Sequence, residues 1–371
     1  MSKYSSLYFH FPFCETKCHY CDFYSLARDR VQDSEVTRFE SAIQKEVQFY
    51  ADQLSPEIKT IFLGGGTPSM TAPSSMERIF SELWKKTRLA KDYEWTMEAN
   101  PSSVDLDRMR AYRSLGINRV SMGVQSLRND HLKNLGRVHD RGEALKSLDI
   151  LFKSGFENVS VDLLCGVPGQ TLQDLKAALD ELTSHPIQHL SCYILTLGTK
   201  HKMFKDLPDE DTQLEHYLYL DEYMTSHGFE HYEISNFAKP GRRARHNLVY
   251  WKNEPYLSFG PSAHSFNSEQ GVRFKNYSSL HQYAEKIEKG EFPIEWKEDL
   301  TQEQKNIEAW MLAVRLEEGF PKDWIKTPHQ QAVLGRFLTG KLIQSHPKVS
   351  DRYQLTPRGL ALSEQIVKEL I

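Results

Sequence analysis

Short apolar runs alternate along the first half of the chain with longer stretches in which apolar positions recur every three or four residues. The short runs predict strands over 7–11, 58–63, 94–98, 119–124, 158–164 and 188–195. The longer stretches predict amphipathic helices over 33–51, 74–87, 106–115, 141–154 and 172–184. Strict strand–helix alternation implies a parallel sheet with right-handed crossovers, so the expected class is α/β, a partial TIM-like (β/α)6 barrel with function at the carboxyl ends of its strands. A helix over 211–226 and a further strand over 229–238 follow, and the alternation then lapses at Lys239-Pro240-Gly241 and the basic residues Arg242, Arg243 and Arg245. From Thr301 a new helical pattern begins, with a hairpin near 349–355, which predicts a small C-terminal α+β, winged-helix-like domain. The expected division is a barrel over 1–238, a connector over 239–300 and a terminal domain over 301–371.

Composition narrows this little. Of 371 residues, 39% are hydrophobic and 26% charged, which suits an ordinary core and a solvated surface. A net charge of -4 lacks the basic excess of a nucleic-acid binder, so no nucleic-acid partner is expected. No apolar run approaches the roughly 20 residues a bilayer span needs, and residues 1–13 lack the pattern of a secretory leader, so a cytoplasmic location is expected. Five cysteines, three of them within eight residues, do not form a disulfide framework and suit a reducing compartment. Cys165 and Cys192 sit alone in apolar segments and read as small buried hydrophobes.

The other three stand in Cys14-Glu-Thr-Lys-Cys18-His-Tyr-Cys21, directly after the first strand, where one loop can wrap one metal centre. Thiolates are soft ligands that select zinc, copper(I) or iron–sulfur clusters, and three of them leave one iron of a [4Fe-4S] cube without a protein ligand. Zinc with His10 or His19 as fourth ligand is the alternative, although zinc sites usually pair their ligands across a longer spacer. Gly64-Gly65-Gly66-Thr67-Pro68 follows the second strand, and glycines let a backbone approach a ligand closely while exposing N–H and C=O groups to it, although a glycine-rich turn after a strand is often only a turn. Later strands end in polar residues: Glu98, Gln125, and Asp162 inside an apolar run, where a carboxylate needs a partner such as ribose hydroxyls, Arg137 or a backbone turn. For each of these alone, a satisfied core group is as good a reading as a ligand contact.

Together, Tyr8-Phe-His-Phe-Pro-Phe-Cys14, the cysteine triplet, Gly64-Gly-Gly-Thr-Pro68, Met97-Glu-Ala-Asn-Pro101, Arg119-Val-Ser-Met-Gly-Val-Gln125 and Val161-Asp-Leu-Leu-Cys-Gly-Val-Pro-Gly-Gln-Thr171 resemble the oxygen-independent coproporphyrinogen III oxidase family, within the radical SAM superfamily. The resemblance is dense over 8–195 and looser beyond. It implies a radical SAM barrel with one [4Fe-4S] cluster on Cys14, Cys18 and Cys21. It also implies S-adenosyl-L-methionine contacts at Tyr8, Tyr20, Gly65, Gly66, Thr67, Glu98, Gln125, Arg137 and Asp162.

That family holds true oxidases, which decarboxylate porphyrinogen propionates, and oxidase-like heme chaperones. The oxidases carry a further cysteine two positions after the third ligand, where this chain has Phe23, and a longer arm than the 13 residues before Cys14. Both differences favour the chaperone branch and count against coproporphyrinogen III oxidase activity. His246-Asn247-Leu-Val-Tyr250-Trp251 resembles that branch's heme-binding motif: an imidazole can ligate iron, the two aromatic rings can face a porphyrin, and the preceding arginines can pair with propionates. Read without the family, a single histidine among 15 is more often a core or surface residue, and Tyr-Trp is more often packing. The resemblance further implies a heme-acceptor protein, for instance a respiratory cytochrome, and peripheral contact with a membrane face. It leaves the oligomeric state open.

Overall fold

The computed structural model describes residues 3–371; Met1 and Ser2, the start of the segment read above as lacking a leader, lie outside them. The alternation is regular. β1 (Ser6–Phe11), α1 (Asp33–Phe49), β2 (Glu57–Gly65), α2 (Pro73–Trp84), β3 (Arg88–Ala99), α3 (Leu106–Leu115), β4 (Arg119–Gln125), α4 (Asn129–Leu135), α5 (Arg141–Lys153), β5 (Val159–Cys165), α6 (Leu172–Ser184), β6 (His189–Ile194) and α7 (Glu210–Ser226) follow in chain order. The antiparallel pair β7 (Glu230–Glu233) and β8 (Asn236–Ala238), then α8 (Arg245–Trp251) and β9 (Leu257–Phe259), come next.

The chain forms two compact units. The first comprises the residues up to Asp162, Arg245–Tyr250 and Glu254–Leu300; the second comprises Leu163–Ala244, Trp251–Asn253 and Thr301–Ile371. This differs from the division expected from sequence. The segment 239–300, expected as a connector, supplies β9, which pairs in parallel with β1 (Leu7 opposite Leu257). Three residues are too few to carry a periodic signal, which is why this strand is not legible in the sequence.

In the first unit β1 also pairs with β2, β2 with β3 and β3 with β4, all in parallel. Parallel strands are covered on both faces, so each is apolar along its length except where a function or a pairing needs otherwise. One face of these strands carries Ile61, Leu63, Trp95, Met97, Val120 and Met122, all essentially inaccessible. By the two-residue period of a strand, the other face carries Thr60, Phe62, Gly64, Glu94, Thr96, Glu98, Arg119, Ser121 and Gly123, an unusually polar interior. The helices start on side-chain caps: Asp105 for α3 and Asp140, in a capping box with Glu143, for α5. α3 and α4 stop at Gly116 and Gly136, whose positive φ (108° and 75°) a glycine adopts without strain. α1 lays Phe39, Ala42, Ile43 and Val47 inward, together with a carboxylate, Glu46. Glu46 accepts hydrogen bonds from Gly260 N–H (2.8 Å), Asn276 Nδ2 (2.6 Å) and the Tyr283 hydroxyl (2.7 Å).

In the second unit β8 pairs antiparallel with β6, and Cys165 and Cys192 are both buried, as expected. Residues beyond Thr301 form α9 (Gln302–Ala313), α10 (Pro328–Thr339) and a small antiparallel sheet in which Arg352–Leu355 lies between Phe320–Pro321 and Ile343–Ser345. Their core, built on Trp310, Val314, Phe320, Val333 and Phe337, also takes in Tyr217 from α7. No helix among the described residues is long and apolar enough to cross a membrane.

Candidate cofactor site at the strand ends

Cys14 ends a two-residue strand, Phe13–Cys14, that pairs with Leu26–Ala27, so the cysteine loop is closed at its base. Its far side is docked on the end of α4: His19 N–H donates to Leu135 O (3.0 Å) and His19 Nδ1 lies 2.9 Å from Asn134 O. Gly136 is what lets the loop sit there, because a Cβ at that position would lie 3.1 Å from the His19 ring. The histidines that a zinc site would recruit are thus tied elsewhere. His10 Nε2 bonds Tyr24 O (2.8 Å) and its Nδ1 faces the Tyr8 hydroxyl (3.2 Å). No group of three His, Cys, Asp or Glu side chains among the described residues is placed to hold a single metal ion.

The glycine run also makes close contacts within the protein. Gly66 N–H donates to Phe11 O (2.7 Å) and Thr67 N–H to Phe13 O (2.8 Å), so the end of β2 holds the chain that carries Cys14. A Cβ at Gly65 would lie 2.5 Å from the His10 ring, and one at Gly66 would lie 2.6 Å from Phe13 O. The close approach that these glycines permit is to β1 and the cysteine loop.

An arc of hydrogen bonds joins two of the thiols. Thr67 Oγ1 donates to Cys14 Sγ (3.5 Å) and accepts from Asn100 Nδ2 (2.9 Å). Asn100 Oδ1 in turn accepts from Arg137 Nη2 (2.7 Å), whose Nη1 donates to Cys18 Sγ (3.5 Å). Arg137 is further held by Gly123 O (2.7 Å), while its Nε is buried with no partner. Tyr20 lies beside Arg137 and Cys18, its hydroxyl held protonated by burial. The Gln125 amide and the Arg137 guanidinium both come over Gly123, since a Cβ there would lie 2.9 Å from Gln125 Nε2 and 3.4 Å from Arg137 Nη2. Gln125 itself has φ 66°, a left-handed conformation that a non-glycine residue holds only when its surroundings impose it.

Deeper in, Glu98 accepts from Gly65 N–H (3.2 Å), and burial, with the Asp162 charge adding to it, pushes its carboxyl up to about 8. Asp162 accepts from the Ser121 hydroxyl (2.9 Å). Tyr8 stacks on Phe62 (ring centroids 6.1 Å). All nine expected cofactor residues and the three cysteines lie in the first unit. Asn100 was not singled out from the sequence, although it stands inside Met97-Glu-Ala-Asn-Pro101; the signal was its place two residues after Glu98 at a strand end. The donor set fits an iron–sulfur cluster: three soft thiols on one loop, with Thr67 and Arg137 donating toward the sulfurs as the outer partners of such clusters do.

The family model of the Radical SAM superfamily matches residues 8–182. The heme chaperone HemW of Bacillus subtilis is 33% identical over 90% of this chain and 89% of its own length. Those of Escherichia coli (31%, over 95% and 94%) and Mycobacterium tuberculosis (30%, over 98% and 94%) are similar throughout. This chain belongs to the HemW family of radical SAM proteins. Among solved structures, coproporphyrinogen III oxidase (HemN) of Escherichia coli shares the fold, with a TM-score of 0.82 over all of this chain and 90% of that one at 20% identity.

The HemW family frame makes the placement of His246 notable. Its ring is fully buried, with Nδ1 2.9 Å from Thr60 Oγ1 and Nε2 2.7 Å from the Tyr250 hydroxyl, and it stacks on Phe62 (5.4 Å). Burial, reinforced by the Arg119 charge, lowers its pKa to about 3, so the imidazole is neutral. Glu94 caps the helix, accepting from the N–H groups of Arg245 (2.9 Å) and His246 (3.0 Å). Tyr250 stands edge-on to Tyr256 (4.6 Å), and Asn247 is half-buried. Of the arginines expected to meet propionates, Arg243 pairs with Glu230 (2.8 Å) and Glu317, and Arg245 with Asp92 (3.4 Å). The cofactor residues are thus brought together, while the heme motif is folded into the structure with its histidine fully bonded.

Asn100→Ala tests the arc. It leaves the Arg137 charge and the Thr67 hydroxyl without their shared partner, and a hydrogen bond to a charged group contributes about 1.5–3 kcal/mol. The expected result is cluster loss in air about tenfold faster than wild type or more, followed as bleaching of the visible absorbance, with unchanged far-UV circular dichroism.

Proposed function

We propose that this chain is a heme chaperone: it binds heme and passes it to an acceptor such as a respiratory cytochrome. In this reading it works in the cytoplasm, with peripheral contact at the membrane where such acceptors sit. Cys14, Cys18 and Cys21 hold a [4Fe-4S] cluster. Tyr8, Tyr20, Gly65, Gly66, Thr67, Glu98, Gln125, Arg137 and Asp162 line the place of S-adenosyl-L-methionine. When bound, the cluster supplies a reducing electron to the cofactor's sulfonium. The chain's own residues hold the thiols and present the Arg137 guanidinium and a neutral Glu98.

One observation carries the choice of chaperone over oxidase. Phe23, where the resemblance places a further cysteine in the oxidases, is 71% exposed and offers no thiol beside the cluster loop. The likeness to the oxidase of Escherichia coli extends to fold. Anaerobic reconstitution followed by incubation with coproporphyrinogen III, S-adenosyl-L-methionine and a reductant is expected to give no protoporphyrinogen; turnover would sink the reading.

His246, with Asn247, Tyr250 and Trp251, is the proposed heme segment. Ligation of iron by His246 has to break its bonds to Thr60 and Tyr250, so binding competes with packing. Thr60→Val removes one of these bonds at nearly constant shape. With a neutral hydrogen bond contributing about 1 kcal/mol, heme affinity is expected to rise about fivefold. His246→Ala is expected to lose the imidazole-type visible spectrum. An unchanged spectrum in His246→Ala would remove it as the ligand.

A further inference from the structure

Phe62 touches a residue of each proposed site. It stands on β2 directly opposite Tyr8 of β1, and the two rings stack with centroids 6.1 Å apart and planes 22° from parallel. The same ring stacks on the His246 imidazole, with centroids 5.4 Å apart at 29°. His246 in turn bonds the Tyr250 hydroxyl through Nε2 (2.7 Å) and stands edge-on to that ring. A run of aromatic contacts thus leads from Tyr8 to Tyr250, all of it within the first unit. There is no slack at its Tyr8 end. A Cβ at Gly64, two residues after Phe62 and on the same face, would lie 2.9 Å from Phe62 Cε1, 3.1 Å from Tyr8 Cε2 and 3.1 Å from Glu98 Oε2, so three side chains converge over one bare backbone position. Burial, with Tyr256, Tyr8 and Glu98 adding to it, holds the Tyr250 phenol protonated, which places that ring beside the same pair. Tyr8, Phe62, Glu98 and Tyr250 each keep part of their surface open, whereas His246 is fully buried.

An aromatic contact stabilises only while both rings hold their places. Iron ligation turns the His246 ring away from Thr60 and Tyr250, and the Phe62 face that it covers is then bare. Phe62 relaxes into that space, and Tyr8 and Glu98, packed with it over Gly64, lose their backing. A ligand lying on Tyr8 and Glu98 needs that backing and so favours the docked histidine. We propose that Phe62 is a positioning residue through which occupancy of the S-adenosyl-L-methionine place and ligation of heme by His246 oppose one another. The proposal rests on the heme and cofactor readings above and adds to them the sign of their coupling and the residue that carries it. Because both ligands act on one equilibrium, each weakens the other by the same factor.

Ferric heme is titrated anaerobically into the cluster-loaded full-length chain and followed by its visible difference spectrum, with no reductant present so that S-adenosyl-L-methionine stays intact. Saturating S-adenosyl-L-methionine is expected to weaken heme binding about fivefold, the contribution of one aromatic contact, and the effect to level off there. The reverse titration, S-adenosyl-L-methionine with and without heme, must give the same factor and needs no variant. Phe62→Leu keeps an apolar side chain and is expected to bind both ligands with the coupling cut below about twofold, the limit within which independent sites add. Phe62→Tyr keeps the ring and is expected to retain the coupling. A merely structural role for Phe62 would shift both affinities and leave the factor between them unchanged. Equal heme affinity with and without S-adenosyl-L-methionine in wild type overturns the inference, as does wild-type coupling in Phe62→Leu. Exclusion of heme that never levels off means that the two ligands share one site, and the inference falls while both binding readings stand. If wild type binds no heme under either condition, the heme reading falls and the inference with it.

Discussion

Gly66→Ala is expected to lose its iron–sulfur cluster about as completely as Cys14→Ala, although Gly66 has nothing with which to ligate iron. The added Cβ would lie 2.6 Å from Phe13 O and 2.7 Å from Phe11 O, and both contacts are to backbone, which cannot swing aside as a flexible side chain can. The same residue's N–H is bonded to Phe11 O, so the strand cannot retreat without losing the bond that positions it. A clash of this kind costs about 1–3 kcal/mol or more. Here the relief available is to push away residues 11–13, and Cys14 is the next residue along. Iron and sulfide per chain after anaerobic reconstitution should therefore fall toward the Cys14→Ala level while far-UV circular dichroism stays native. Gly335→Ala is the control, because a Cβ there meets nothing within 4 Å and alanine is the better helix residue. Full cluster loading in Gly66→Ala would mean that the end of β2 does not position the cysteine loop.

The second large effect is on stability, at Glu46. Burial raises its carboxyl from 4.5 to about 7 against the opposing pull of the Tyr283, Gly260 and Asn276 hydrogen bonds. Between these two values the folded chain keeps a proton that the unfolded chain has released. Stability should therefore fall as pH rises from 4.5 to 7 and level off above, by roughly 3 kcal/mol from this group alone. Glu46→Gln cannot titrate, and the difference between the two proteins' urea midpoints across that window isolates the group from Glu98 and Glu233, which also titrate high. Glu46→Leu leaves three buried donors without an acceptor and is expected to cost about 3–5 kcal/mol at any pH. Parallel pH profiles for wild type and Glu46→Gln would show that the carboxylate is already charged and compensated.

Much of the site could be read without coordinates. The cysteine loop, the glycine run after β2 and the polar strand ends at Glu98, Gln125 and Asp162 are local patterns. Each needs only a strand's two-residue period and the rule that loops after parallel strands gather at one end. The role of the glycines could not be read, because whether a bare backbone faces a ligand or a neighbouring strand depends on what lies across from it. Asn100 escaped for a related reason: its amide matters because Thr67 and Arg137, 33 and 37 residues away, both reach it.

The chain by itself determined the repeated βα order, the thiol loop and the branch of the family, through Phe23 and the cysteine spacing. These properties reside in neighbouring residues and survive in any fold that places strand ends together. Only the tertiary structure decided that His246 lies buried between Thr60 and Tyr250, that β9 closes onto β1, and that Phe62 packs on both Tyr8 and His246. Each of these joins side chains far apart in sequence, 186 residues in the case of Thr60 and His246. No periodicity encodes such a meeting; it exists only once burial has brought the partners within hydrogen-bonding or van der Waals reach.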